Sequence, residues 1–444
     1  VTTMKNMFKS AKVFDQPICN CNTSNVETMQ GMFFTTLNFN QSINNWNVSN
    51  VTSMASMFQN SIFNQPIGDW NVSNVRLLIN MFNGNRKFNQ PIGDWNVSNV
   101  TNISSMFWNA ESFNQPIGDW NVSNVISIAY MFLNARNFNQ PIGDWNVSNV
   151  KSMAFLFNMA ESFNQPIGDW NVSNVESFVN MFECASAFNQ PIGDWNVSNV
   201  NSMSYMFNYA DNFNQPIGDW NVSNVETMTA MFNGASAFNQ PIGGWNVSNV
   251  IKMDYLFNKA QLFNQPIGNW DVSNVKNMRS MFDESESFNQ PIGYWNTSNV
   301  TDMSNMFEKA IEFNQDVRYW DVSNTLMENM FTGATLFKNT YENEYSYNDT
   351  PTKDFFYIQL RDDNISTAIN KWFDDNENAK KLYGKNIGDW RVDYISNMSD
   401  LFGKNIGDWR YDYISNMSDV YDRRNKFNED ISGWNTSNVT DMQG

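Results

Sequence analysis

Seven aspartates, Asp69, Asp94, Asp119, Asp144, Asp169, Asp194 and Asp219, stand 25 residues apart. A row of carboxylates is the first chemistry the sequence offers, because several such oxygens together can hold calcium. The row is interrupted further along by Gly244, Asn269, Tyr294 and Tyr319 at the same place. Gly-Asp is therefore read as a turn signal, and no metal is assigned. Tryptophans recur with the same step, from Trp70 to Trp320. A ladder of indoles can stack sugars or fill a core. Each shares a face with apolar neighbours, as Trp170 does with Ile167 and Val172, which assigns the ladder to the core. Asn171-Val172-Ser173 and its copies are formal N-glycosylation acceptors. Repetition at one phase points first to side-chain ladders or caps, and modification requires passage through a secretory pathway.

Other chemistry is missing. The chain has no histidine, which removes the usual general base and the commonest metal ligand together. Its three cysteines, Cys19, Cys21 and Cys184, are too few for a disulfide framework or a four-ligand zinc site. No paired acid and base, glycine-rich phosphate loop or nucleophile motif occurs. The expectation is a non-enzymatic protein without a cofactor.

The elements that position these residues are repeats. Ten copies of F-N-Q-P-I-G run from Phe63 to Phe288 without a slip in their 25-residue step. A fixed period of this size marks a solenoid. Within one unit, the alternation of Trp170 and Val172 predicts a short strand. Phe178, Met181, Phe182, Ala185 and Phe188 follow at the spacing of a helical stripe. Asn-x-Ser-Asn before this run supplies caps, and Asn-Gln-Pro-Ile-Gly-Asp after it turns the chain back. The expected fold is an α/β repeat solenoid, leucine-rich-repeat-like, with one short strand plus a short helix per 25-residue coil. At ~4.8 Å per coil, the steps from Trp46 to Trp320 give a rod of roughly 50–55 Å.

The expected organisation is a first repeat solenoid over 1–337, a polar linker over 338–360, a helical capping unit over 361–383, and the start of a second solenoid over 384–444. The capping unit carries the amphipathic run Ile365, Ala368, Ile369, Trp372 and Phe373. Residues 384–402 and 403–421 are near-duplicates, either a shortened coil or a duplication. Val1-Thr2-Thr3-Met4 parallels Val51-Thr52-Ser53-Met54, so the chain is read as a segment of a longer polypeptide. With 41% hydrophobic and 15% aromatic residues there is ample material for a core. The net charge of −18 argues against nucleic acid and anionic membranes as partners. No apolar run reaches the ~20 residues of a membrane-spanning helix.

The pattern W-N-V-S-N-V-x-x-M-x-x-M-F-x-x-A-x-x-F-N, met in full from Trp195 and Trp220 and with one or two exchanges in most other units, resembles the BspA-like bacterial surface proteins. That family has repeats related to leucine-rich repeats, and members occur in algae and giant viruses. Asn364 to Phe373 followed by Tyr383-Gly384 looks like the helical unit that opens such arrays. The resemblance implies an extracellular or cell-surface location, with a virion as the alternative. It implies no chemistry. The expected role is a structural spacer or adhesin. A component of a virus particle or extracellular filament is the first alternative, and a glycan- or ice-binding module the second. Expected partners are a protein or glycan at a surface, or copies of the chain itself in a lattice.

Between the apolar positions of the helical segment the sequence varies freely from unit to unit. Arg76, Thr101, Glu176, Tyr209, Lys259, Lys276, Asp283 and Glu284 are such positions. They are the candidate partner surface.

Overall fold

The computed structural model describes residues 1–318, 320–342, 347–356 and 369. These residues form one stack of coils. Thirteen isolated parallel bridges join the same position of successive coils, from Thr3 with Thr28 to Asp302 with Leu326. The expected capping unit over 361–383 and second solenoid over 384–444 lie outside the described residues, apart from Ile369, which is buried.

The solenoid stands, but its expected elements do not. The strand expected at Trp170–Val172 is flanked by turns instead, with the Trp170 N–H donating to the Ile167 carbonyl and the Val175 N–H to the Val172 carbonyl. Pairing between coils is confined to a single bridge, five residues further on, at Ser177 with Ser202. The expected helix is also replaced. Met181, Glu183 and Ala185 donate to Phe178, Asn180 and Phe182, three residues back. The alternate amides of Phe178, Asn180, Phe182 and Cys184 leave the coil for the carbonyls of Ser202, Ser204, Met206 and Asn208, at 2.7–3.1 Å. An α-helix would keep all of these amides for itself.

The result is a ribbon of linked turns. Asn180 and Cys184 both have φ of 56°, which a type II turn requires at its third residue. The equivalent places elsewhere hold residues that adopt this conformation readily, such as Asn80 and Gly84, and residues that do not, such as Tyr130 and Phe155. The helical stripe and the turn ribbon bury the same positions, so the burial expectation survives the change of backbone.

The core is the same in every coil. Ile167, Trp170, Val172, Val175, Phe178, Met181, Phe182, Ala185 and Phe188 are each at most 3% exposed. Trp170 donates its indole N–H to the Ile142 carbonyl of the preceding coil at 3.1 Å. Its ring lies parallel to that of Trp145, with centroids 6.5 Å apart. Two phenylalanine columns run beside it. Phe182 stacks on Phe157 and Phe207, and Phe188 on Phe163 and Phe213.

Polar side chains complete the joint between coils. Asn164 Oδ1 accepts the N–H of Asn189 at 2.9 Å and the amide of Gln190 at 3.0 Å. Asn174 donates to the Ser148 carbonyl at 2.7 Å. The Asn171 carboxamide instead closes a local Asx turn, accepting the N–H and hydroxyl of Ser173. The ladder and cap reading of these rows is what the hydrogen bonds display.

Two coils are one residue short, and both keep their bridges. Ser53 pairs with Leu77 and Asp302 with Leu326, each 24 residues on. In the first, the corner between Phe58 and Phe63 loses a residue, and Ser61 closes it by donating its hydroxyl to the Phe58 carbonyl at 2.9 Å.

The last described coil is covered by the chain that follows it. A short helix, α1 (Thr335–Tyr341), leads to residues 347–356. There the Asp349 carbonyl accepts the N–H of Phe331, and the Thr350 hydroxyl that of Asn329. Phe355 sets its ring edge-on to Phe331, Phe337 and Tyr341. The flat stack of rings ends there. The described part of the expected linker thus packs on the solenoid.

Gly168 turns out to be needed for space: a Cβ there would lie 2.6 Å from the Pro191 carbonyl oxygen of the next coil. Gly168→Ala should therefore destabilise the array by about 1–3 kcal/mol in urea or thermal denaturation. Gly244→Ala is the control, because a Cβ there meets nothing within 4 Å, and its transition should not fall.

Candidate interaction surface

The turn ribbon carries nearly all of the variation between coils, and it places the candidate residues unequally. Arg76, Thr101, Glu176 and Lys276 occupy one column, just before the bridge position, and all four are exposed. They share a row along the rod but form no cluster. Tyr209 is exposed, with its ring lying across Gly234 of the next coil, where a Cβ would collide with it. Lys259, Asp283 and Glu284 are only partly exposed.

Those last three are brought together with residues of the following coil. Lys309 Nζ lies 2.9 Å from Glu284 Oε1. This bond, and to a smaller degree the charges of Lys259 and Lys309, hold the Glu284 carboxyl below its ordinary range. Asp283 moves the other way. Burial, followed by the charges of Glu308 and Glu284, pushes it up to about 6. Its Oδ1 is buried without a hydrogen-bond partner. Asn158, Asn208, Asn233 and Asn258 fill the same column elsewhere, where an amide suits the site without a charge.

The same column contains a small polar network. Glu183 accepts the side-chain amides of Asn158 at 2.6 Å and Asn208 at 2.8 Å, and that of Asn180 as well. Beside it, burial raises the Cys184 thiol to about 11, so the thiol form persists at neutral pH. Cys19, Cys21 and Cys184 are all unbridged.

One feature of the ribbon was missed by the choice of candidates. Over three consecutive coils its outward side chains include large aromatics. Tyr130 stacks on Phe155 at 4.7 Å and meets Trp108 at 5.9 Å. Ile126, Met159 and Tyr205 are exposed around them. Trp108 was a signal available in the sequence, since it stands outside the 25-residue tryptophan register. The ladder tryptophans themselves are buried at 2–4% exposure, so their rings present no face to a sugar. The aspartates from Asp94 to Asp219 are exposed. Among the described residues no group of three or more His, Cys, Asp or Glu side chains is placed to hold a metal. No described helix is long and apolar enough to cross a membrane.

The family described as "Mycoplasma protein of unknown function, DUF285" matches residues 1–76, 59–141, 115–218, 188–284, 235–345, 263–372 and 367–444, which together span the sequence. The chain belongs to the DUF285 family. No curated protein matches it. Among solved structures, a chain of the TLR13–ssRNA13 complex aligns at 9% identity over 62% of this chain, with a TM-score of 0.16. The aligned part covers 52% of that longer chain.

Asp283 makes the array pH-sensitive. Its folded pKa of about 6 lies above the ordinary 3.8, so the folded state holds the proton more tightly than the unfolded chain. The penalty is present above pH 6 and disappears as pH falls towards 3.8. Asp211, also raised by burial, acts in the same direction. Glu284, lowered, contributes stability that is lost only as pH falls below its ordinary 4.5. Asp283→Asn should raise stability at pH 7 by about 1 kcal/mol after solvent screening of a half-exposed group. It should also flatten the gain seen on acidification from pH 7.5 to 5. Denaturation across that pH range checks both effects.

Proposed function

We propose that this DUF285 protein is a non-enzymatic rod displayed at a surface, acting as a spacer or adhesin as its BspA-like pattern implies. The observation that carries the reading is the uniform joint, in which each coil from Thr3 to Leu326 is held to the next by the same bridge at the same place. Repetition of this kind builds length and presents a regular surface. It does not build a unique pocket. The divergence of the turn ribbon over a constant core supports recognition by that face. The net charge of −18 speaks against nucleic acid as the partner.

A role in a virus particle or extracellular filament draws on the same joints and differs in what the rod is attached to. A glycan- or ice-binding module would use the exposed asparagine rows, including Asn171 and Asn174, and has no support from the buried tryptophans.

Pulling the two ends of the solenoid apart should open it coil by coil, because each coil is bonded only to its neighbours. Single-molecule force spectroscopy should show a series of steps, each releasing roughly 85 Å of chain per coil. Rupture in one event at low force would refute the spacer role. Antibody labelling of intact source cells tests display independently, and labelling that requires permeabilisation would refute it.

A further inference from the structure

The exposed apolar residues of the ribbon are interleaved with charges whose prevailing sign changes along the rod. Towards the N-terminus the ribbon carries Arg76, Arg86, Lys87 and Arg136, and towards the C-terminus Glu176, Glu183, Asp211 and Glu226. Arg86 and Arg136 reach Glu111 and Glu161 within the chain, at 3.4 and 3.6 Å. Lys151 and Glu176 are exposed, and neither takes part in an ion pair among the described residues. Among these charges, Ile126, Met159, Tyr205 and Tyr209 are 37–53% exposed.

We propose that this face pairs with a second copy of the chain in an antiparallel two-fold dimer, its axis crossing the ribbon between the coils of Lys151 and Glu176. A two-fold interface uses one patch twice, so the patch must complement itself. For rods meeting face to face about an axis that crosses the ribbon, each column lies against the same column in reverse coil order. Lys151 then meets the partner's Glu176, and Arg136 meets the partner's Asp211. Both pairs occur twice. Tyr130 meets the partner's Tyr205, and Met159 meets the partner's Cys184.

The position of the axis is set by the charges left unpaired among the described residues, Lys151 and Glu176. An axis one coil nearer the N-terminus also avoids like charges, but it would match Arg136 with Glu161 and Arg86 with Asp211. Arg86, Arg136 and Glu161 are already paired within the chain. With the axis between the coils of Lys151 and Glu176, no two like charges face each other across the variable columns from Arg76 to Leu262. Moving it by half a coil onto the Lys151 coil would set Lys151 against itself, Glu161 against itself and Glu111 against the partner's Asp211. Rods running parallel would lay each coil against the same coil with its columns reversed, so Lys151 would not meet the partner's Glu176. The matched pairs sit on a chain whose net charge of −18 opposes association, so specificity comes from this stretch. Eight coils make a contact ~40 Å long. A ribbon ~20 Å wide then supplies the ~800 Å² per partner of an ordinary stable interface.

The inference goes beyond the proposed function: a monomeric rod would refute it and leave the spacer reading intact. Sedimentation equilibrium of the full chain at low salt should show a monomer–dimer equilibrium. Lys151→Glu alone and Glu176→Lys alone should each weaken dimerisation roughly tenfold. An equimolar mixture of the two variants should associate as the unmodified chain does, because each altered residue then faces its opposite on the partner. Mixing cannot repair a defect within one chain, so this restoration separates pairing from misfolding. A protein monomeric up to high micromolar concentration overturns the proposal. So does a dimer indifferent to the single substitutions, or a mixture no tighter than either variant alone.

Discussion

Every second amide of the turn ribbon points out of its own coil, and the architecture follows from that. A helix in the same place would satisfy itself and leave the coils to associate by side chains alone. Here the amides of Phe178, Asn180, Phe182 and Cys184 take their carbonyls from the next coil, so the spacing of the rod is set by main-chain hydrogen bonds. The side chains must accept that spacing. Flat stacks of Phe and Trp suit it, as do Asn carboxamides that receive two donors from one neighbour. Gly168 suits it too, because the Pro191 carbonyl needs the room.

The joint has a conformational cost. Positive φ at Tyr130, Phe155 and Tyr205 is unfavourable for such residues by about 1–2 kcal/mol each. The ribbon tolerates it because the hydrogen bonds on both sides leave no alternative path. Tyr130 and Phe155 offset part of it by stacking on each other. The strain recurs along the whole ribbon, at Tyr255, Lys259 and Lys309 as well, whereas the stacking that offsets it belongs to the middle.

Burial was legible in the sequence. Ile167, Trp170, Val172, Phe178, Met181 and Phe182 recur at one phase in so many copies that their shared environment could be inferred, and they are buried. Backbone conformation was not legible, because linked turns reproduce the spacing of a helical stripe. The clue was Asn or Gly at every fourth position, as at Asn80 and Gly84. Tyr, Phe, Met and Lys at the same places in other coils hide it. The reason for Gly168 was also hidden, since it lies in a contact with a residue far along the chain. Of the candidate surface, the outward direction of Arg76 and Glu176 could be read from one repeat. The upward shift of Asp283 combines its burial with the charge of Glu308 across a joint, and the Trp108, Tyr130 and Phe155 patch exists only when coils are laid side by side.

Because the joints are alike, any coil between Phe63 and Phe288 could be lost or copied and the cut faces would still match. Recombination between neighbouring copies of such a gene would lengthen or shorten the rod in whole steps while preserving its fold. The short corner at Ser61 shows that a single-residue loss can also be absorbed when it falls outside the bonded ribbon. Reach is thus a heritable dimension of this protein, adjustable without redesigning any contact.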